Sequence, residues 1–523
     1  MSYIKVEILT PVHIGSGKQL QGNFEYLYFN RKNEVAVIDD EKILSLIGDQ
    51  HIEQWLRVIN AEDDLLAYLE NRKLNPTSEN TSSKVLKVVG KAPSKIEING
   101  KNRYPEIREF IRSGNKSPYI PGSSLKGPFR TAFLTKEILN DKSGWLNRAD
   151  NFKNKKGKYS DNVLQKKFIG EDPTYDPFKL LRIGDIHFSN TVCILSESVN
   201  GKGHERFEMK DSVKQFVEAL PVGSFGIGKL SVHESLKTQI VKKLGFKDKK
   251  YTQNVQKMEE LALFQMVNSH TQELLKNEIN LWKERELPEA ASDFVLNLKK
   301  ILEISEECSG NECVIRTGFG SGLKFMTGDW QQDVMSEVEL DNLAKAVRRK
   351  NYGGMELPKT RRMAMAQPMG FIKLALVSEA EIESVQNEIK QKEAEKEAYE
   401  QQQKIKAEKE AEAARQAILE AEAKKQADLE AKYAKMPKPV SNDLKTGDEI
   451  EAEIYKIQTG FAMARYCPVL GEYSGQFELM ASKKVKKALP DFNEKFKEGV
   501  LVKVRCEVTP KKTTFYFIEF IER

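Results

Sequence analysis

The spacing of hydrophobic positions changes along this chain, and each change marks a different kind of element. Residues 1–40 alternate between apolar and polar side chains, as in Ile4, Val6 and Ile8, which predicts strands. Residues 41–72 instead carry apolar side chains at helical intervals, which predicts helices. A strand-rich start is therefore followed directly by helical chain.

Strand and helix patterns then interleave as far as residue 377 without the regular rhythm of parallel βαβ units. Pro128–Leu139 is predicted to form a helix that begins at its proline. Phe207–Val217 and Val222–Val232 are predicted to form a pair of strands, and long amphipathic helices are predicted over 252–282 and 288–305. This mixture favours an α+β domain over residues 1–377.

The last third of the chain has two further patterns. Residues 379–436 are rich in Glu, Lys, Gln and Ala, and pairs such as Glu388–Lys392 predict a solvated helix within a linker at 378–440. Residues 441–523 return to short strand patterns, whose order predicts a small barrel of the OB-fold type. Three domains with different structures are therefore expected.

The distribution of charge says more about the class of partner than overall composition does. The 523-residue chain carries a net charge of only +6, but residues 142–168 hold eight Lys/Arg against two Asp/Glu. Residues 345–362 hold seven Lys/Arg against one acidic residue. Such clusters favour a polyanionic partner, although ordinary solvated lysines would also explain the first cluster.

Other classes of site find little support in the sequence. No run of about 18 apolar residues occurs, so we expect no membrane partner and a cytoplasmic protein. The five cysteines are scattered and lack metal-ligand spacing, so we expect reduced thiols, no metal and no cofactor. No nucleophile–base arrangement stands out either, which predicts a non-catalytic chain.

Three stretches combine glycine, serine and a basic residue: TPVHIGSGK from Thr10, YIPGSSLKGPFRTAFL from Tyr119 and IRTGFGSGL from Ile315. Small flexible residues let a main chain approach a phosphodiester backbone and donate N–H groups to it. None has P-loop spacing, so polyanion binding is favoured over nucleotide hydrolysis. The candidate contacts to such a polyanion are Gly15, Ser16, Lys18, Ser123, Ser124, Lys126, Arg130, Arg316, Gly318, Gly320, Gly322 and Lys324.

Further candidates lie towards the C-terminus, and each candidate has a structural alternative. Lys359, Arg361 and Arg362 could face the polyanion or another protein. In the barrel, Phe461, Arg465 and Phe477 could stack on bases and bind phosphate, or the aromatic rings could fill the barrel core. Likewise, Arg130 could be a buried ion-pair partner, and the glycines could serve only turns and close packing.

The motifs, in this order, resemble the RAMP superfamily of CRISPR effector proteins over residues 1–377. The resemblance rests on TPVHIGSG, on YIPGSSLKGPFRTAFL, on RIGDIHFSN with Asp185, on FVEALPVGSFGIGKLSV and on RTGFGSGL. KTRRMAMAQPMGFIKLAL, from Lys359, is most similar to the Csm-type subunit that caps the guide-RNA 3′ end in type III-A complexes. The charged helix and the barrel depart from that pattern.

The resemblance implies a ferredoxin-like, RRM-related core and a subunit that holds guide crRNA without cutting it. It further implies neighbouring RAMP backbone and small subunits as partners, with target RNA or a host nuclease as additional candidates. The alternative is an endoribonuclease of the same superfamily, for which His13, Asp39 and Asp40 are the residues to test. For Asp39 or Asp40, a helix N-cap is the simpler prediction.

Overall fold

The fold is taken from a computed structural model of the full chain. The structure describes residues 2–98, 101–141, 143, 145, 151, 153, 160–170, 176–202, 205–244, 249–340, 342, 360–392, 394–395, 398, 402, 416, 420, 423–424, 427, 444–458, 461–465, 477–483, 486, 489, 492–509 and 512–521. Contacts divide the chain into two units, Met1–Ala394 and Glu395–Arg523.

Strands and helices alternate irregularly in the first unit. Its strands are Ser2–Ile8 (β1), Gly15–Leu20 (β2), Tyr26–Phe29 (β3), Glu34–Ile38 (β4), Ser82–Val89 (β5), Ile96–Ile98 (β6), Lys101–Arg103 (β7), Ile107–Phe110 (β8), Tyr119–Ile120 (β9), Leu181–Ile183 (β10), Ile186–His187 (β11), Val192–Lys202 (β12), Arg206–Met209 (β13), Gln215–Ala219 (β14), Phe225–Val232 (β15), Glu312–Arg316 (β16), Thr360–Ala364 (β17), Gln367–Pro368 (β18) and Phe371–Val377 (β19). Its helices are Asp40–Ile47 (α1), Ile52–Asn60 (α2), Leu65–Asn71 (α3), Ser78–Thr81 (α4), Gly122–Leu139 (α5), Asp161–Phe168 (α6), Glu234–Leu244 (α7), Lys249–Gln256 (α8), Glu260–Lys283 (α9), Phe294–Glu306 (α10), Gly322–Thr327 (α11) and Gln331–Val334 (α12). The expected α+β class is confirmed; the ferredoxin-like core stays a prediction.

The first strand lies in the middle of a five-stranded antiparallel sheet with the order β10-β15-β1-β19-β16. The alternation seen in the sequence places Ile4, Val6 and Ile8 in the core. Helices α5 and α9 share this core, where the rings of Phe129 and Phe264 have centroids 5.6 Å apart. The sheet therefore anchors both helices.

A second sheet follows the path β2-β8-β14-β12-β5-β4-β3, and β13 and β17 also pair with β12. The sequence-based pairing of the segments around 207–217 and 222–232 is wrong. The first segment forms two strands, β13 and β14, and the second forms β15, which pairs with β1 in the other sheet. The chain changes sheets at a turn between Leu220, which bridges to Val12, and Gly223, whose N–H donates to Ile8.

Helix α5 begins six residues before the predicted start, at Gly122 instead of Pro128. A proline inside a helix leaves the carbonyl four residues earlier without its N–H partner, which here is the carbonyl of Ser124. The hydroxyl of Thr317 donates to that carbonyl at 3.1 Å. A tertiary hydrogen bond thus replaces the missing helical one, so the helix continues through Pro128.

Part of the predicted linker belongs to the first unit. Residues 382–392 are helical, and the predicted Glu388–Lys392 pair forms at 2.8 Å. Glu388 also accepts from Lys5 at 3.0 Å, and Ile389 is buried. Most of the remaining stretch to residue 440 lies outside the described residues.

The second unit contains a closed five-stranded barrel. Its strands are Glu449–Gln458 (β20), Phe461–Arg465 (β21), Phe477–Met480 (β22), Leu501–Val508 (β23) and Thr513–Phe520 (β24), with the short helix Phe492–Lys495 (α13). They follow the order β20-β21-β22-β24-β23, in which β22 and β24 are parallel and the other pairs are antiparallel. The predicted small barrel is confirmed.

Candidate nucleic-acid interface

Three of the sequence motifs meet at residues 316–322, which we call the glycine loop. The N–H of Phe319 donates to the carbonyl of His13 at 2.8 Å, which joins the loop to the first motif. Thr317 donates its hydroxyl to Ser124 at 3.1 Å and its N–H to Gly370 at 2.8 Å. Segments that are distant in sequence are therefore joined at this loop.

Two glycines of the loop are required by close contacts. Gly318 has a φ of +77°, and a Cβ there would lie 2.6 Å from the carbonyl oxygen of His13. Gly320 has a φ of +87°, and its Cβ would lie 3.3 Å from the Cβ of Arg362. Only glycine fits such a backbone without strain, so both positions serve the packing of the loop.

A cleft of about 220 Å³ opens beside the glycine loop. Its lining contains six of the residues predicted from the sequence to contact RNA: Arg316, Gly320, Gly322, Lys324, Arg361 and Arg362. The structure thus brings together candidates from two separate motifs. Lys359, from the same group, lies outside the described residues.

Three of these cations, Arg316, Lys324 and Arg361, have partners within the protein. Arg316 is buried between the rings of Phe325 and Phe371, and its Nε donates to the carbonyl of Met369 at 2.8 Å. Burial lowers the pKa of Arg316 to about 10. Lys324 forms a buried ion pair with Asp329 at 2.9 Å. These side chains support the loop, because little of either is exposed for a ligand.

Arg361 forms a buried ion pair with two hydrogen bonds to one carboxylate. Its Nε donates to Oε1 of Glu278 at 2.8 Å and its Nη2 donates to Oε2 at 3.1 Å. Trp282 donates to the same carboxylate at 2.8 Å. Burial alone would raise the pKa of Glu278, but the Arg361 guanidinium outweighs burial and lowers that pKa to about 2. The pair is therefore ionised at neutral pH.

The second motif forms the first turns of α5. The carboxylate of Asp185 accepts from the Gly122 N–H at 2.9 Å, so an acidic side chain already caps this helix. Ser123 is exposed and Ser124 is half-buried. Lys126 is half-buried as well, and it has no ion-pair or hydrogen-bond partner in the described part of the chain. Burial lowers the pKa of Lys126.

Arg130, one turn further along α5, is an ion-pair partner, which was the structural alternative predicted for it. It forms an ion pair with Asp176 at 2.6 Å and donates to Gln165 at 3.1 Å. Its guanidinium also lies 5.5 Å from the ring centroid of Phe178. Lys126 is consequently the better candidate of the two for a phosphate.

The first motif lies on β2, an exposed strand at the edge of the second sheet. Gly15, Ser16 and Lys18 are all exposed. Ser16 donates to Glu109 at 3.1 Å and accepts from the Lys18 N–H at 3.1 Å. The ammonium of Lys18 has no ion-pair partner among the described side chains, so it is available to an anion.

His13 and Glu218, both buried, hold this region together. His13 contacts the carbonyl oxygen of Glu218 through Nδ1 at 2.7 Å, and burial lowers the pKa of its imidazole. The Glu218 carboxylate accepts from Lys84 at 2.9 Å, from the Phe110 N–H at 3.1 Å and from Arg112. Burial would raise the pKa of Glu218, but Lys84 and Arg112 outweigh burial and lower it.

Two residues of this candidate interface, Arg108 and Phe319, were not predicted from the sequence. The guanidinium of Arg108 lies 5.1 Å from the ring centroid of Phe319, and that of Arg362 lies 4.5 Å from it. A single aromatic residue within RTGFGSGL was the available signal for Phe319. No sequence signal marked Arg108, because Arg108 and the glycine loop are far apart in sequence and meet only in the folded protein.

In the barrel, taken by itself, the predicted residues take different positions. Phe477 stacks on Phe515 with centroids 4.4 Å apart and packs against the barrel core. Arg465 lies over the ring of Tyr455 at 5.5 Å. The side chain of Phe461 lies outside the described residues. The core alternative thus accounts for Phe477.

Asp39 takes the predicted N-cap position of α1, where its side chain accepts from the Lys42 N–H at 3.2 Å. Within the described residues, no group of three or more His, Cys, Asp or Glu side chains is arranged to hold a metal ion. Over the same residues, no helix combines the length and the apolar character that a membrane span requires.

Known proteins share both sequence and fold with this chain. A 187-residue segment is 29% identical to the CRISPR system Cms protein Csm5 of Methanocaldococcus jannaschii, covering 35% of this chain and 42% of that protein. A 146-residue segment is 28% identical to the Csm5 of Enterococcus italicus, covering 24% of this chain and 41% of the relative. The matched segments thus span less than half the length of these relatives.

A structural match agrees in fold. The chain resembles a chain in the cryo-EM structure of a Csm-crRNA-target RNA ternary complex of a type III-A CRISPR-Cas system, with a TM-score of 0.52 and 23% identity. The match covers 72% of this chain and 100% of the other. The family model of the RAMP superfamily matches residues 5–352, which is more than half of the sequence. This chain therefore belongs to the RAMP superfamily.

Proposed function

We propose that this protein is a non-catalytic, crRNA-binding subunit of a type III CRISPR-Cas effector complex. It holds the 3′ portion of the guide RNA through backbone contacts, ends the row of RAMP backbone subunits and thereby influences crRNA maturation. The superfamily membership and the similarity to Csm5 proteins support this role. Guide and target RNA and the neighbouring Csm-type subunits are the partners that follow from it.

One observation carries the proposal: three glycine- and serine-bearing segments are joined by hydrogen bonds, and basic side chains on or beside them have no acidic partner among the described residues. Lys18, Lys126 and Arg362 have no carboxylate within ion-pair distance among the described residues. A guide RNA has a variable sequence, so its holder must bind phosphates and sugars instead of base edges. Cations beside accessible backbone suit that requirement.

Lys126 provides the sharpest test. The full chain is titrated with fluorescein-labelled single-stranded RNA of random sequence at several salt concentrations, and anisotropy is followed. Lys126→Gln should reduce the slope of log affinity against log salt by about 0.7, the value for one phosphate contact on a single strand. Lys32→Gln is the matched control, because Lys32 is paired with Glu79 at 3.2 Å. An unchanged slope in Lys126→Gln would contradict the proposed contact.

The same preparation distinguishes the nuclease alternative. Wild-type protein incubated with end-labelled RNA should leave it intact, and RNA that copurifies with the protein should have protected 3′ ends. Cleavage that is lost in His13→Ala or Asp40→Ala would refute the non-catalytic assignment. Copurified RNA protected only at its 5′ end would refute the assignment to the 3′ portion.

We also propose that residues 1–377 form the RAMP domain, 378–440 a linker and 441–523 an OB-fold domain. The barrel order β20-β21-β22-β24-β23, with its one parallel pair, supports an OB-fold. Arg465, with Tyr455 beneath it, is the candidate RNA contact on this barrel. RNA affinity of residues 441–523 alone, lost in Arg465→Gln, is the expected result; equal affinity of that variant would contradict this contact.

A further inference from the structure

Phe319 lies beside two positive charges, of which Arg362 was predicted from the sequence and Arg108 was not. The guanidinium carbons of Arg108 and Arg362 lie 5.1 and 4.5 Å from the centroid of its ring. Arg108 comes from β8, where it pairs with Gln19 of β2 and with Val217 of β14. Arg362 comes from β17. Three distant segments thus place two arginines over one ring.

These two arginines lack acidic partners. Across the described residues, neither has a carboxylate within 4.0 Å, and the Nε of Arg108 is buried without a hydrogen-bond partner. The guanidinium of Arg362 donates to the carbonyl of Val213 at 3.3 Å. Burial lowers the pKa of Arg362, and the charge of Arg108 lowers it further. Two like charges therefore stand close together without compensation.

A second aromatic residue of the same chain provides the contrast. Phe207 also has two guanidiniums over its ring, those of Arg285 at 5.1 Å and Arg361 at 5.8 Å. There Arg361 is neutralised by the buried carboxylate of Glu278. Among the residues that the structure describes, one such ring thus has an internal anion beside its arginines and the other has none.

The surrounding residues fix the ring and the arginines in place. The Phe319 N–H is bonded to the His13 carbonyl at 2.8 Å, and the His13 ring meets the Phe319 ring edge-on at 5.6 Å. Gly320, with no Cβ, allows the backbone to lie against Arg362. A guanidinium is planar and can stack on an aromatic ring, and its N–H groups have the fork geometry that suits phosphate oxygens.

We propose that Arg108, Phe319 and Arg362 form a phosphate-binding site that takes successive phosphodiester groups of a single RNA strand. The proposal rests on the RNA-binding function proposed above and specifies where the strand crosses the second sheet. Since Arg108 pairs with Gln19 on β2, the site lies where β2 and β8 meet at the edge of the second sheet. Inorganic phosphate has the same oxyanion chemistry and is the alternative ligand.

Arg108→Gln, Arg362→Gln and the double variant test this site in the full chain, with the anisotropy assay and random-sequence RNA. Each single substitution should lower the salt slope by about 0.7 and the affinity about fivefold at 0.1 M salt, and the double variant should combine both losses. Arg72→Gln is the control, because Arg72 also lies over an aromatic ring, that of Tyr68 at 5.0 Å. The control should keep wild-type slope and affinity.

Thermal unfolding separates ligand binding from a structural role. Removing two unpaired like charges should leave the unfolding temperature unchanged or higher, whereas a large fall would overturn the proposal. Wild-type RNA binding with an unchanged slope in the double variant would overturn it too, while leaving the proposed function intact. If wild-type protein bound no RNA, the proposed function itself would fail. Stabilisation by inorganic phosphate that the double variant loses, without any change in RNA binding, would refute the RNA assignment.

Discussion

The ion pair between Glu278 and Arg361 permits a quantitative prediction. Both side chains are buried, and Arg361 donates two hydrogen bonds to the carboxylate. Replacing Glu278 by glutamine removes the charge and leaves the Arg361 guanidinium buried without an anion. Breaking such a pair from one side costs about 3–5 kcal/mol. We expect a loss of that size in the free energy of unfolding at neutral pH.

The pH dependence gives an independent estimate. Folding lowers the pKa of Glu278 from 4.5 to about 2. At about 1.4 kcal/mol per pH unit, this difference corresponds to about 3 kcal/mol. Because the folded pKa is the lower one, the stabilisation is complete above the unfolded pKa and is lost as the pH falls from about 4.5 through about 2. The Glu278→Gln variant should lack this part of the acid dependence.

Urea titrations followed by tryptophan fluorescence measure both effects, because all four tryptophans lie in the first unit. Glu79→Gln is the control; its exposed pair with Lys32 should contribute at most about 1 kcal/mol. Replacing both partners, as Glu278→Leu with Arg361→Met, should recover most of the lost stability. A loss below about 1 kcal/mol in Glu278→Gln, or an unaltered acid transition, would refute the reasoning.

Three further predictions concern local structure and are measured by thermal unfolding. Thr317→Val leaves the Ser124 carbonyl without its donor and should cost about 1–2 kcal/mol; equal stability would contradict the role assigned to this bond. Gly318→Ala should be strongly destabilising, because its Cβ would meet the His13 carbonyl, whereas Gly127→Ala, in open space on α5, should be neutral or stabilising; the reverse order would be inconsistent with the structure. Asp39→Ala should cost about 0.5–2 kcal/mol through the lost N-cap while RNA remains uncut, and no loss would argue against the cap.

Local patterns predicted much of the fold because they depend on neighbouring residues. The alternation of Ile4, Val6 and Ile8 indicated β1, and the strand series after residue 441 indicated the barrel. Helix α5 was placed six residues late, because the bond from Thr317 that lets it pass Pro128 joins residues far apart in sequence. Strand pairing around residue 221 failed for a related reason, since the chain changes sheets there.

The candidate site, like the fold, was predicted from the sequence only in part. Glycine and charge composition located the three segments, and the fold joined them through Thr317 and Phe319. Sequence could not distinguish cations that are free from cations that are paired. Lys126 and Arg130 lie one turn apart on α5, and only the position of Asp176 determines that Arg130 is the paired one. Arg108 was missed because the ring that it contacts, that of Phe319, lies in a loop far from it in sequence.

The position of β1 has a consequence for synthesis on the ribosome. This strand pairs on one side with β15 and on the other with β19, so Ile4 is opposite both Gly228 and Leu376. A nascent chain therefore carries its N-terminal strand incompletely paired until more than 370 residues have been translated. The entropy of closing so long a loop also delays the meeting of its ends. The surface at the glycine loop can consequently mature only after translation of the first unit is nearly complete.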